Sequence, residues 1–140
     1  MARLMAIDYG TKRTGLAVTD PLQLIATALE TVPTNELFAY IEKYAKNESI
    51  EAFIVGMPRH LDNKEAALAP VINQFVNRLQ LLFPLSPVHT YDERFTSVMA
   101  ERSMIDSGQS RKTRRNKSLL DKISATILLQ SWIEKKQYQR

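Results

Sequence analysis

Hydrophobic and polar positions alternate between short apolar runs and helical spacing along the chain. Arg3 to Asp8 and Thr14 to Thr19 read as strands around a turn-like insert, Tyr9-Gly10-Thr11-Lys12-Arg13. Ala26 to Val32 makes a third strand after the turn at Asp20-Pro21, so the chain opens as an antiparallel meander. Thr34 sits where a helix N-cap belongs, with Glu36 in the first turn. Leu37, Ile41, Tyr44 and Ala45 follow at helical spacing. The wholly apolar run Ala52 to Gly56 suits a buried strand of parallel type.

Met57 to Lys64 reads as a loop, and a helix from about Ala66 to Leu82 places Leu68, Ile72, Phe75, Val76 and Leu79 on one face. Pro70 fits that helix only in its first turn. Val88 to Tyr91 is a short strand, Thr96 to Asp106 a helix stopped by Gly108, and Ser118 to Lys135 the last helix. The order β-β-β-α-β-α-β-α-α predicts one mixed-sheet α/β domain over residues 1–140. Phe38, Phe53, Phe75 and Trp132 fall at core spacing.

Composition narrows the chemistry. Without any cysteine, disulfides, thiolate metal sites and cysteine nucleophiles are all excluded. The two histidines, His60 and His89, do not make a histidine-rich metal site. His60 reads as a loop residue and His89 as a strand side chain. No stretch approaches the ~20 apolar residues of a bilayer span, and the N-terminus runs straight into a strand, so a cytoplasmic protein with no membrane partner is expected. A net charge of +4 points mildly to a polyanionic partner.

Three acidic residues occupy unusual places. Asp8 ends the first strand, where it either caps the following turn or meets a cation. Glu93 ends the last strand, in Tyr91-Asp92-Glu93-Arg94, and shares a face with His89 and Tyr91 by period-two alternation. Its plainer role is a local ion pair in an Asp-Glu-Arg turn. Asp121 lies on one helical line with Ser124, Ala125, Leu128 and Trp132, a stripe of small and apolar residues that would pack on a sheet. A carboxylate in such a stripe is usually paired or metal-bound. Oxygen-only ligation suits Mg²⁺ or Mn²⁺, and two such ions can activate water and stabilise a leaving oxygen in phosphodiester hydrolysis.

The segment Asp8-Tyr9-Gly10-Thr11-Lys12-Arg13-Thr14-Gly15-Leu16-Ala17-Val18 resembles the opening motif of the YqgF family, RNase H-like proteins described as Holliday junction resolvases or as pre-16S rRNA nucleases. Ile54-Val55-Gly56-Met57-Pro58, Asp92-Glu93-Arg94-Phe95-Thr96-Ser97 and Lys117 to Gln130 also resemble that family, in its order. The resemblance implies a five-stranded mixed sheet, its first three strands antiparallel, flanked by helices. It further implies Asp8, Glu93 and Asp121 as catalytic carboxylates holding Mg²⁺ or Mn²⁺, with two ions expected. One departure is that Asp62 is followed by Asn63 where the family usually has Gly; Asn tolerates positive φ, so the turn is expected to survive.

Basic residues supply candidate nucleic-acid contacts. Arg111, Lys112, Arg114, Arg115 and Lys117 place five positive charges in seven residues just before the Asp121 helix. They form either a solvated loop or a phosphate-binding one. Lys12 and Arg13 would contact the scissile region or decorate the hairpin. Arg94 would orient a carboxylate or touch substrate. Tyr9 is the candidate for base stacking.

The expected partner is therefore pre-rRNA, carried on a small-subunit ribosomal precursor, or branched DNA. The chain would act as a monomer or weak homodimer. Two other readings compete with the nuclease: a binding factor without turnover, and an ATPase, because Asp8-Tyr9-Gly10-Thr11 also resembles the first phosphate loop of actin-type folds. Such ATPases clamp nucleotide between two domains, and this chain has room for one.

Overall fold

In the computed structural model, which describes residues 2–57, 63–92 and 117–138, five strands form one sheet in the order β3-β2-β1-β4-β5. β1 (Arg3–Asp8), β2 (Arg13–Thr19) and β3 (Ala26–Pro33) are the antiparallel meander. β4 (Ile50–Met57) then pairs parallel to β1, and β5 (Val88–Asp92) parallel to β4. The C-terminal ends of β1, β4 and β5 therefore share one edge of the sheet. Ile7 pairs with Val55, and Met57 with Asp92, at that edge.

Strand alternation divides the core in two. Met5, Ile7, Leu16, Val18, Phe53 and Val55 face α1 (Leu37–Asn47) and α2 (Asn63–Leu82), which contribute Leu37, Ile41, Ile72, Phe75 and Leu79. Leu4, Ala6, Ala17, Ala52 and Ile54 face α3 (Lys117–Tyr138), which contributes Ala125, Leu128, Leu129 and Ile133. β1 and β4 are buried on both faces, which is why Ala52–Gly56 is apolar without alternation. Truncating a fully buried side chain such as Leu128 to alanine would cost about 2–5 kcal/mol.

Three local expectations change. Thr34 does not cap a helix: Thr34–Glu36 is a single 3₁₀ turn, and α1 begins at Leu37. Its hydroxyl is drawn to a partner far along the chain, as described below. Pro70 lies inside α2, so the carbonyl four residues earlier has no proline N–H to accept from. Burial of Ile72, Phe75 and Leu79 offsets that loss. Asn63 starts α2 and does not sit in a turn, and Met57 belongs to β4. The helix expected at 96–106, the basic loop, His60 and Asp62 lie outside the described residues. Phe38 is half-buried against the core, whereas Phe53 and Phe75 are within it.

Candidate active site

Asp8 is the last residue of β1 and alternates with Leu4 and Ala6 onto the α3 face. Across the antiparallel ladder it pairs with Gly15. At Gly15 α3 lies directly against the sheet: a Cβ at this position would overlap the main-chain carbonyl of Asp121 and stand 3.1 Å from the Asp121 Cβ. The absence of a side chain at Gly15 therefore sets the distance between helix and sheet. Through it, Asp8 and Asp121, remote in sequence, come to neighbouring positions on one face and at one end of the sheet.

The Asp121 carboxylate is held from β2. Arg13 Nε donates to Asp121 Oδ2 at 3.2 Å, with the two side chains 38% and 27% exposed. At that exposure the pair contributes little to stability, about 0–1 kcal/mol, so its consequence is orientation of the carboxylate. Arg13 thus touches a member of the acidic set, a contact that its place in the hairpin does not reveal. Below Asp121 the stripe behaves as its spacing predicts: Ser124, Ala125 and Leu128 are buried. Trp132 is half-buried, its indole stacked on His89 at 5.0 Å and met edge-on by Tyr91 at 5.9 Å. His89 is accordingly a packing residue, and it shares the α3 face with Tyr91. Glu93 lies outside the described residues.

The loop after Asp8 is fastened by a closed ring of hydrogen bonds. The Thr34 hydroxyl donates to the Gly10 carbonyl at 2.6 Å, so the Thr14 hydroxyl must donate to Thr34 Oγ1, 2.9 Å away. The Gly10 amide in turn donates to Thr14 Oγ1 at 3.4 Å. Thr34 N–H also donates to the Lys12 carbonyl at 3.0 Å. Gly10 admits this tight turn because a Cβ there would meet the Arg13 carbonyl. Gly15, Thr14 and Thr34 are site-shaping residues that sequence reasoning missed; a lone Gly inside an apolar strand was the available signal for the first.

Tyr9 and the carboxylates point to different faces. Tyr9 packs on Phe75 at 5.0 Å, on the α1/α2 side. Lys12 lies in the loop after Asp8 and is exposed. Arg94, Arg111, Lys112, Arg114 and Arg115 lie outside the described residues, and Lys117 begins α3. Among the described residues no three metal-ligating side chains cluster, and no helix is long and apolar enough to cross a membrane. The donors that are described fit a hard divalent cation: both are carboxylates, and neither sulfur nor free imidazole accompanies them.

A mixed sheet in this order, an antiparallel meander feeding parallel strands with helices on both faces, defines an RNase H-like α/β protein. A solved RuvC structure, from T. thermophilus in complex with a Holliday junction substrate, shares the fold with a TM-score of 0.61 and 18% identity over 98% of this chain and 96% of that one. The chain belongs to the RuvX family, described as Holliday junction resolvase, whose model matches residues 2–135. A Phocaeicola vulgatus protein named as a proposed pre-16S rRNA nuclease is 52% identical over 138 residues, covering 99% of each chain. A protein of the same name from Bacteroides fragilis is 50% identical over 136 residues, 97% of this chain and 99% of its own.

Proposed function

We propose that this chain is a divalent-cation-dependent endonuclease that hydrolyses phosphodiester bonds during 5′-end maturation of pre-16S rRNA in the cytoplasm. The observation that carries the chemistry is that Asp8 pairs with Gly15 across the ladder while the Asp121 backbone lies against the same glycine, at the C-terminal end of β1. RNA is preferred as substrate because relatives of about 50% identity over nearly the whole chain carry that name. Resolution of four-way DNA junctions is the second reading, favoured by the family's description and by the shared fold with a junction-bound resolvase.

Asp8, Asp121 and Glu93 are the residues that would hold Mg²⁺ or Mn²⁺, with a pair of ions as the working expectation. Bound there, such ions supply an activated water and stabilise the departing 3′ oxygen. The chain's own residues do the positioning. Ile7, fully buried, anchors Asp8 from beneath, and the Gly10-Thr14-Thr34 ring fixes the backbone that follows it. Arg13 holds Asp121 to one orientation. Lys12 and the basic segment 111–117 would gather substrate phosphates, so affinity should fall steeply with salt.

The test offers purified protein, with Mn²⁺ or with EDTA, a 5′-extended 16S rRNA precursor and a four-way DNA junction. Cleavage of the RNA in Mn²⁺, abolished in Asp8→Asn with binding retained, is expected. Paired symmetric cuts in the junction alone would install the second reading. A wild-type rate in Asp8→Asn would refute the catalytic assignment.

A further inference from the structure

Behind the carboxylate edge, on the α1/α2 face, lies an open cleft of about 220 Å³ lined among others by Tyr9, Thr34, Phe38, Gln74, Phe75 and Arg78. We infer that this cleft is a subsite for one unstacked base of a single-stranded nucleic acid, an inference that rests on the nuclease reading. Three rings run through it in sequence: Tyr9 to Phe75 at 5.0 Å, and Phe75 to Phe38 at 5.2 Å, each tilted by about 40°. The Arg78 guanidinium lies over the Phe38 ring, 4.6 Å from its centre. That contact holds the guanidinium at the cleft, where its N–H groups can meet a phosphate or a base edge.

Phe75 is buried, but Tyr9 and Phe38 are only partly covered by the core they pack against, and Gln74 and Arg78 beside them are exposed. Aromatic faces beside a cation and an amide suit a planar, polar-edged, anion-bearing ligand better than an aliphatic one. Among the described residues no carboxylate lines the cleft, so nothing there repels a phosphate. Its volume equals about seven waters, enough for one base.

Position selects the ligand further. Tyr9 directly follows Asp8, so the cleft begins one residue from the proposed scissile site, on the other side of the sheet. Consecutive residues at a strand end send their side chains to opposite faces, so the cleft and Asp8 are separated by the thickness of the sheet at the end of β1. A strand passing over the end of β1 would bring one base to the cleft while the scissile phosphate lies at Asp8. Thr34 links the two places, because it lines the cleft and its hydroxyl holds the Gly10 carbonyl of the loop after Asp8.

The test uses a single-stranded oligoribonucleotide carrying one 2-aminopurine, its position scanned along the strand, titrated into the full chain in EDTA so that cleavage does not intervene. Quenching at one position is expected, with binding weakened about fivefold or more in Arg78→Ala and in Phe38→Leu, the lower bound for one stacked base. Arg78 is exposed, so its variant remains informative if Phe38→Leu melts early. Absence of quenching, or unchanged binding in both folded variants, overturns the subsite. The two readings fail separately. Binding through the cleft with no cleavage of either substrate refutes the nuclease but leaves the subsite. Cleavage with variants that bind normally refutes the subsite alone.

Discussion

Replacing Gly15 by alanine tests whether the gap between α3 and the sheet sets the geometry of the acidic residues. The added Cβ would overlap the Asp121 main-chain carbonyl and lie 3.1 Å from its Cβ. Carbon contacts settle at roughly 3.5–4.0 Å, and backbone cannot rotate aside as a side-chain tip can. The first turns of α3 must therefore retreat by about an ångström. Overpacking of this kind costs about 1–3 kcal/mol, whereas Gly→Ala restricts the unfolded chain and returns about 0.4–1 kcal/mol. The net loss of up to about 2.6 kcal/mol, centred on about 1.3, lowers the melting temperature by roughly 4–5 °C at this chain length. The effect on catalysis should be larger, because a displacement near 1 Å at a reacting centre can cost about 100-fold. Circular dichroism melts and Mn²⁺-dependent cleavage measured well below the melting temperature separate the two effects. A variant that melts and cleaves like the wild type would refute the spacing argument. One that melts early yet cleaves normally would show that the spacing serves stability alone.

Two further outcomes follow from the loops. Thr34→Val leaves the fully buried Thr14 hydroxyl without its acceptor and should destabilise the chain by about 1–3 kcal/mol, read as a lower urea midpoint at unchanged slope; an unchanged midpoint would show that the ring is not stabilising. Asp20 caps the β2–β3 turn, and its carboxyl is held below the ordinary 3.8 chiefly by the Ile25 amide, with Leu24 and Leu22 adding to it. A depressed value means that its stabilisation is present above about pH 4 and is lost as pH falls through the folded-state value. Asp20→Asn should therefore flatten the stability profile below about pH 4 while changing its shape little at neutrality, and an unaltered acid limb would count against the capping role.

Much of this architecture was legible from local pattern. Short apolar runs separated by turn residues identify the meander, and β1 and β2 are buried along almost their whole length. The unbroken apolar run from Ala52 identifies a strand buried on both faces. Helical spacing places Asp121 in the packing stripe, and Ser124, Ala125 and Leu128 are indeed buried. The motif carried by Asp8 to Val18 points to the family that the full-length comparison shows.

Tertiary structure alone decided the rest, because those contacts join residues that no local rule relates. Thr34 satisfies the local pattern of a helix cap, yet its hydroxyl is satisfied by Gly10, 24 positions earlier. Pro70 breaks a helix by local rules, but burial of the residues around it outweighs one lost hydrogen bond. Arg13 and Asp121 are 108 residues apart and meet only because Gly15 lets α3 descend onto β2. Sequence determined which side chains must be buried and where the chain must turn, through short-range sterics and hydrophobic period. Which carboxylates share a sheet edge, and what holds them there, was decided by how the layers pack, where a single missing Cβ sets the separation.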